Sequence, residues 1–148
     1  ARAVRDLQPG DKILIAEACT HHPVQDDIGR VKIPRWLRQA AGGELVFDVV
    51  SGGSGLPENL REYRLVVHCG ACMLNRKEML YRIMQTQEVG VPIVNYGVLL
   101  AYLHGVLKRA LSPFPQALAV FAEERDDLEE ELVLLRQTLR KSGDLHAD

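Results

Sequence analysis

The stretch Arg64-Leu65-Val66-Val67-His68-Cys69-Gly70-Ala71-Cys72 decides how the chain is read. Residues 64–68 are an apolar run of strand length, and the run ends directly in Cys69. A helix is expected to follow over 73–88, carrying Met73, Leu74, Met79, Leu80 and Ile83 among charged residues, until Gly90 stops it. Upstream the same sentence is written once before. A turn over 7–12 feeds an apolar run over 13–18, and Cys19 follows at once. Residues 26–41 then read as helical, with Asp26 or Asp27 as cap and Ile28, Val31, Trp36 and Leu37 as inner positions. Pro34 either interrupts this helix or marks the start of a second one.

Between the two copies, Gly42-Gly43 ends the helix and residues 44–50 form a strand rich in β-favouring residues. The loop Ser51-Gly52-Gly53-Ser54-Gly55 lacks the Gly-Lys-Ser/Thr of a nucleotide P-loop and reads as a connector. Downstream, residues 91–94 give a fourth strand with Pro92 at its start. Asn95-Tyr96-Gly97 reads as a turn, and residues 98–111 as a helix. The strands are continuous apolar runs without alternation, as in a parallel sheet covered on both faces. The expectation is a small doubly wound α/β domain, with a mainly parallel sheet of about four strands flanked by helices.

Pro113 and Pro115 mark a boundary. The organisation expected is an α/β domain over 1–115, a long amphipathic helix over 116–141 and a frayed tail over 142–148. Leu118, Phe121, Leu128, Leu132, Leu135 and Leu139 fall on a 3-4 repeat, with Arg125 in the gap. That spacing suits packing on the domain and self-association into a homo-oligomer equally.

Composition narrows the function classes. Apolar residues make up 47% of 148, enough for a core in one domain. A net charge of −2 with 5% aromatics gives nucleic acid nothing to hold on to. No apolar run is long enough for a membrane span, and the N-terminus has no secretion signal. It also begins without methionine, which fits a piece of a longer chain or simple removal of Met. Three cysteines cannot all pair as disulfides, and the Cys69–Cys72 spacing suits a metal, a cluster or a redox dithiol in a reducing, cytoplasmic setting.

In a parallel sheet the ends of all strands share one edge, where ligands bind in open α/β folds. Cys19, Cys69 and Cys72 would therefore meet there. Three thiolates suffice for three irons of a 4Fe-4S cluster, with His21 or His68 available to the fourth. Three cysteines and a histidine equally make a structural zinc site, and the motif alone leaves zinc and cluster open. A dithiol would use Cys69 and Cys72 and leave Cys19 without a role. His22 reads as outer support or as solvated, His104 as a packed histidine, and His146 lies in the tail. Asn95 and Tyr96, after the fourth strand, are placed to reach the site. Arg30, Lys32, Arg35 and Arg38 would draw an anionic ligand if they face this edge. No serine nucleophile, His-Glu zinc helix or dinucleotide fingerprint is present, and no catalytic residue is assigned.

Four stretches carry a resemblance. They are Glu17-Ala18-Cys19-Thr20-His21-His22-Pro23, Asp27-Ile28-Gly29-Arg30-Val31-Lys32-Ile33-Pro34-Arg35, His68-Cys69-Gly70-Ala71-Cys72-Met73 and Pro92-Ile93-Val94-Asn95-Tyr96-Gly97. Together they resemble the C-terminal cluster-binding domain of the FeFe-hydrogenase maturation GTPase, whose pattern is Cys-x-His and, after a long gap, His-Cys-x-x-Cys. The resemblance implies a 4Fe-4S cluster on Cys19, Cys69 and Cys72. The fourth position would not be cysteine, and His21 and His68 are candidates for it. It also implies a scaffold role. A di-iron precursor bearing carbon monoxide and cyanide would be built with radical-SAM maturases, held transiently and delivered to the FeFe-hydrogenase apoprotein. Arg30, Arg35 or Arg76 would then face the precursor's negative charge. The family's GTPase domain has no counterpart here, so no GTP hydrolysis is expected of this chain alone.

Overall fold

A computed structural model describes residues 2–18, 27–53 and 55–122. The chain divides into two compact units, residues 1–106 and 107–148. The first unit is built on four strands: β1 (Lys12–Ala16), β2 (Val46–Val50), β3 (Leu65–His68) and β4 (Ile93–Asn95). All neighbours pair in parallel, in the order β2-β1-β3-β4. The helices are α1 (Arg2–Arg5), α2 (Ile33–Ala41), α3 (Arg76–Glu88) and α4 (Tyr96–Leu103), with a π-helical turn at Ile28–Lys32 and a 3-10 turn at Leu60–Glu62. The chain leaves β1 toward β2 on one side and leaves β3 toward β4 on the other. The sheet therefore has its switch point between β1 and β3.

Alternate residues of each strand serve opposite faces. On one face Ile13, Ile15, Leu65, Val67 and Val94 pack with Val4 of α1, Ile33 and Leu37 of α2 and Leu99 of α4. On the other, Leu14, Ala16 and Val66 pack with Leu56, Leu60, Tyr63 and Val91. This is the doubly wound sheet expected from the apolar runs, and β1 and β3 are buried along almost their whole length.

The helix boundaries differ from expectation where the backbone changes period. Ile28 and Val31 are exposed, because the π-helical turn breaks the 3.6-residue repeat. Ile33 and Leu37 turn inward instead. Pro34 sits in the first turn of α2, where its missing N–H costs nothing, and Gly42 closes the helix in the left-handed region at φ 70. Residues 73–75 precede α3, which starts at Arg76 behind an Asn75–Glu78 capping box. Asn95 ends β4 and directly caps α4, so no turn separates them. The helix expected over 98–111 is two, since Gly105 at φ 71 ends the first. His104 makes an edge-to-face ring contact with Trp36 but is itself exposed, so it is a surface contact and not the packed histidine that the apolar helix suggested.

The second unit contains α5 (Leu107–Ala110) and, after a turn, helix from residue 115 to 122. The remainder of the helix expected over 116–141, and the tail over 142–148, lie outside the described residues.

Candidate functional site

Cys69 is the first residue beyond β3. Its N–H donates to Ala16 O of β1 at 2.9 Å, which continues the parallel ladder one step past the strand. The N–H of Ala18 donates to Cys69 Sγ at 3.1 Å, and the N–H of Ala71 points to the same sulfur at 3.5 Å. Backbone N–H groups aimed at a sulfur are the kind of outer support that a metal-bound cysteine uses. Cys69 is half-buried and Cys72 exposed. The helix expected from residue 73 starts only at Arg76, so Cys72 lies in the turn before it. The N–H of Glu78 and that of Asn75 are already taken by the capping box, and Ala71, at φ 57, turns the chain before Cys72. Cys19, His21 and His22 lie outside the described residues, as does Asp26.

His68 is fully buried at the end of β3. Its Nδ1 lies 2.8 Å from Cys69 O and its Nε2 lies 2.8 Å from Arg82 Nη1 of α3. A carbonyl can only accept, so Nδ1 carries the proton and Nε2 accepts from the guanidinium. Arg82 Nη2 donates to Gly52 O at 2.7 Å. Burial lowers the pKa of His68, and the Arg82 charge pushes the same way, against the Cys69 carbonyl. Burial also lowers the pKa of Arg82, and the nearby Cys69 sulfur opposes this. Both ring nitrogens are therefore engaged, and a metal would reach His68 only by displacing one of these partners.

A second polar cluster stands at the same edge. Glu17 is 7% exposed, and its Oε2 accepts from Arg30 Nε at 3.2 Å, Arg30 Nη2 at 2.8 Å and Ser51 Oγ at 3.2 Å. Arg30 Nη2 also donates to Ser51 Oγ at 2.9 Å. The hydrogen bond to Glu17 is the main cause raising the Arg30 pKa. Gly29 allows this approach: a Cβ there would collide with the Tyr96 hydroxyl and lie 2.9 Å from Glu17 Oε1. Glu17 and Arg30 thus tie together the two ends of the segment that contains Cys19 and His21. Arg30 is committed to this clamp. Arg35 lies over Trp36, and Arg38 lies over Phe47 and pairs with Glu44.

The sequence pointed to Cys69, Cys72 and His68; His68 and Cys69 stand at the carboxyl end of the sheet, and Cys72 is exposed in the turn that follows. Arg82 was not foreseen, because one arginine in a charged helix carries no local sign that it points inward. Glu17 and Ser51 were hidden for the same reason. Among the described residues, no group of three His, Cys, Asp or Glu side chains stands close enough to hold a metal ion. An open cleft of about 580 Å³ lies at the opposite edge, lined by Lys12, Glu62, Tyr63, Arg64 and Pro92, far along the strands from the thiols. Its polar groups are paired in ordinary ways: Lys12 with Glu62 at the surface, Tyr63 with Asp48.

The family model of the hydrogen maturase F tetramerization domain matches residues 1–113. The chain belongs to this family. The match spans the whole α/β unit and so includes both the thiol-bearing edge and the clamp behind it. No curated protein matches the chain. Membership of the hydrogen maturase F family places the chain in the context of hydrogenase maturation and supports its assembly into an oligomer. Among the described residues no helix is long and apolar enough to cross a membrane.

Proposed function

We propose that this hydrogen maturase F domain carries a 4Fe-4S cluster on Cys19, Cys69 and Cys72, and holds a di-iron precursor for delivery to FeFe-hydrogenase. The observation that carries the reading is the 3.1 Å contact between the Ala18 N–H and Cys69 Sγ. Ala18 is the residue that precedes Cys19 in the chain, so the neighbour of one thiol residue touches the sulfur of another, which supports the reading. The donor set fits the group, since the sulfur of Cys69 receives two backbone N–H groups.

The chain's own residues have distinct tasks in this reading. The three thiolates hold the cluster, which supplies an iron position not claimed by cysteine. His21 is the better candidate for that position, because the ring nitrogens of His68 are spent on Cys69 O and Arg82. His68 and Arg82 fix the ligand loop instead. Glu17, Arg30 and Ser51 close the base of the segment bearing Cys19 and His21. The partners are the apo-hydrogenase and the radical-SAM maturases that build the precursor. The setting is the cytoplasm, where thiols stay reduced.

Anaerobic reconstitution with iron and sulfide tests this. About four irons per chain and a cluster-type EPR signal on reduction are expected, both lost in Cys69→Ser. A chain that retains one tightly bound zinc and forms no cluster overturns the reading in favour of a closed structural site.

A further inference from the structure

Helix α3 buries two polar side chains against its domain, beside the half-buried Met79 and Ile83, and leaves large apolar ones outside. Its buried residues are Arg82 and Thr86, one turn apart, while Leu80, Tyr81 and Met84 are 42%, 57% and 54% exposed. Positions 80, 81 and 84 lie together on one helical stripe. Contiguous large apolar side chains on the outside of a domain mark a contact surface more often than chance exposure.

The stripe also has a charge pattern. Exposed Lys77 lies one turn before it and exposed Glu88 one turn after it, on the same side of the helix. A surface with an apolar centre, a cation at one end and an anion at the other is complementary to itself turned end for end. Two-fold pairing requires this property, since each patch must meet its own copy.

We infer that the outer face of α3 is a contact with a second copy of this chain, formed by two antiparallel α3 helices about a two-fold axis. Tyr81 of each copy then packs near Met84 of the other, and Lys77 faces Glu88. The inference rests on the reading of the chain as an assembling domain, which its family supports. Three side chains are less than the roughly 800 Å² per partner of a stable interface, so α3 forms the apolar centre of a wider contact. Its inner side bonds His68 beside Cys69, so the helix that joins copies is also the one that steadies the ligand loop.

The test is the mass of the full chain in solution, by light scattering after gel filtration, for wild type and two sets of variants. Leu80→Glu with Met84→Glu is expected to halve the assembly mass while leaving the circular dichroism spectrum of the folded chain unchanged. Lys77→Glu alone is expected to weaken association about fivefold. Adding Glu88→Lys to it restores the wild-type value, because the pairs reform with reversed polarity. An unchanged mass in the double glutamate variant overturns the α3 contact and leaves the assembling reading standing. The same holds if the thermal midpoint falls at constant mass, since α3 is then covered by the chain's own residues. A wild-type chain that stays monomeric at all concentrations overturns both.

Discussion

Helices α2 and α3 each follow a strand whose end faces the thiol edge, and they are attached to the sheet in opposite ways. α2 has no side-chain cap, and the π-helical turn runs straight into it. It is held by Ile33 and Leu37, both fully buried among the aliphatic side chains of β1 and β3. α3 has a complete capping box and fully buries only Arg82 and Thr86, with Leu80, Tyr81 and Met84 turned out. Burial of hydrocarbon is strong and tolerant of direction. A guanidinium that bonds one histidine and one carbonyl works only at one position and angle. The first helix therefore supplies stability and the second supplies placement. Placement is what a ligand-bearing loop needs.

The comparison can be broken by substitution. Leu37→Ala removes a fully buried side chain from α2 and is expected to cost about 2–5 kcal/mol in chemical denaturation. A cost below one kcal/mol would put the stability elsewhere. Arg82→Leu leaves His68 Nε2 and Gly52 O without their donor and should cost about 1.5–3 kcal/mol. Iron retention should fall more than stability does, and Arg82→Lys should recover stability better than retention, because a lysine lacks the two-pronged geometry. Asn75→Ala removes the cap of α3 and should cost about 1 kcal/mol, most visibly in faster amide exchange over the first turn. Equal exchange in both proteins would show that packing holds α3 after all.

The smallest effect is a pH dependence on the α3 side of the sheet. Burial chiefly, and then the hydrogen bond to Asp48, raises the pKa of Tyr63 above its ordinary value of 10.0. A raised folded pKa means that the contribution is whole below pH 10 and is lost as pH climbs through the folded value. Tyr63→Phe should therefore cost about 1 kcal/mol near neutrality and flatten the alkaline limb of the stability profile. If wild type and variant lose stability in parallel above pH 10, Tyr63 is not the group responsible.

Much of this was legible in the chain before any coordinates. The runs at Ile13–Ile15 and Leu65–Val67 are apolar at every position, so they announce strands covered on both faces. Cys69 at the end of such a run announces an edge site. What stayed hidden depended on facing rather than on composition. Ile28 and Val31 have the right residues for an inner face, but a single π-helical turn rotates them out. Leu80 looks like a core position until Arg82, two residues on, proves to be the inward one. Pattern reading assumes that the apolar side is the buried side, and α3 breaks that assumption where a contact to another molecule takes over.

The bond from Cys69 N–H to Ala16 O has a consequence for how the thiol edge tolerates change. Spacing between the β1 and β3 exits is fixed by main-chain register, Ala16 opposite His68, and not by any side chain. The sheet acts as a ruler whose divisions are peptide units. Surface residues of the surrounding helices can therefore drift freely without altering the calibration, whereas inserting or deleting one residue within β1 would misalign every mark beyond it.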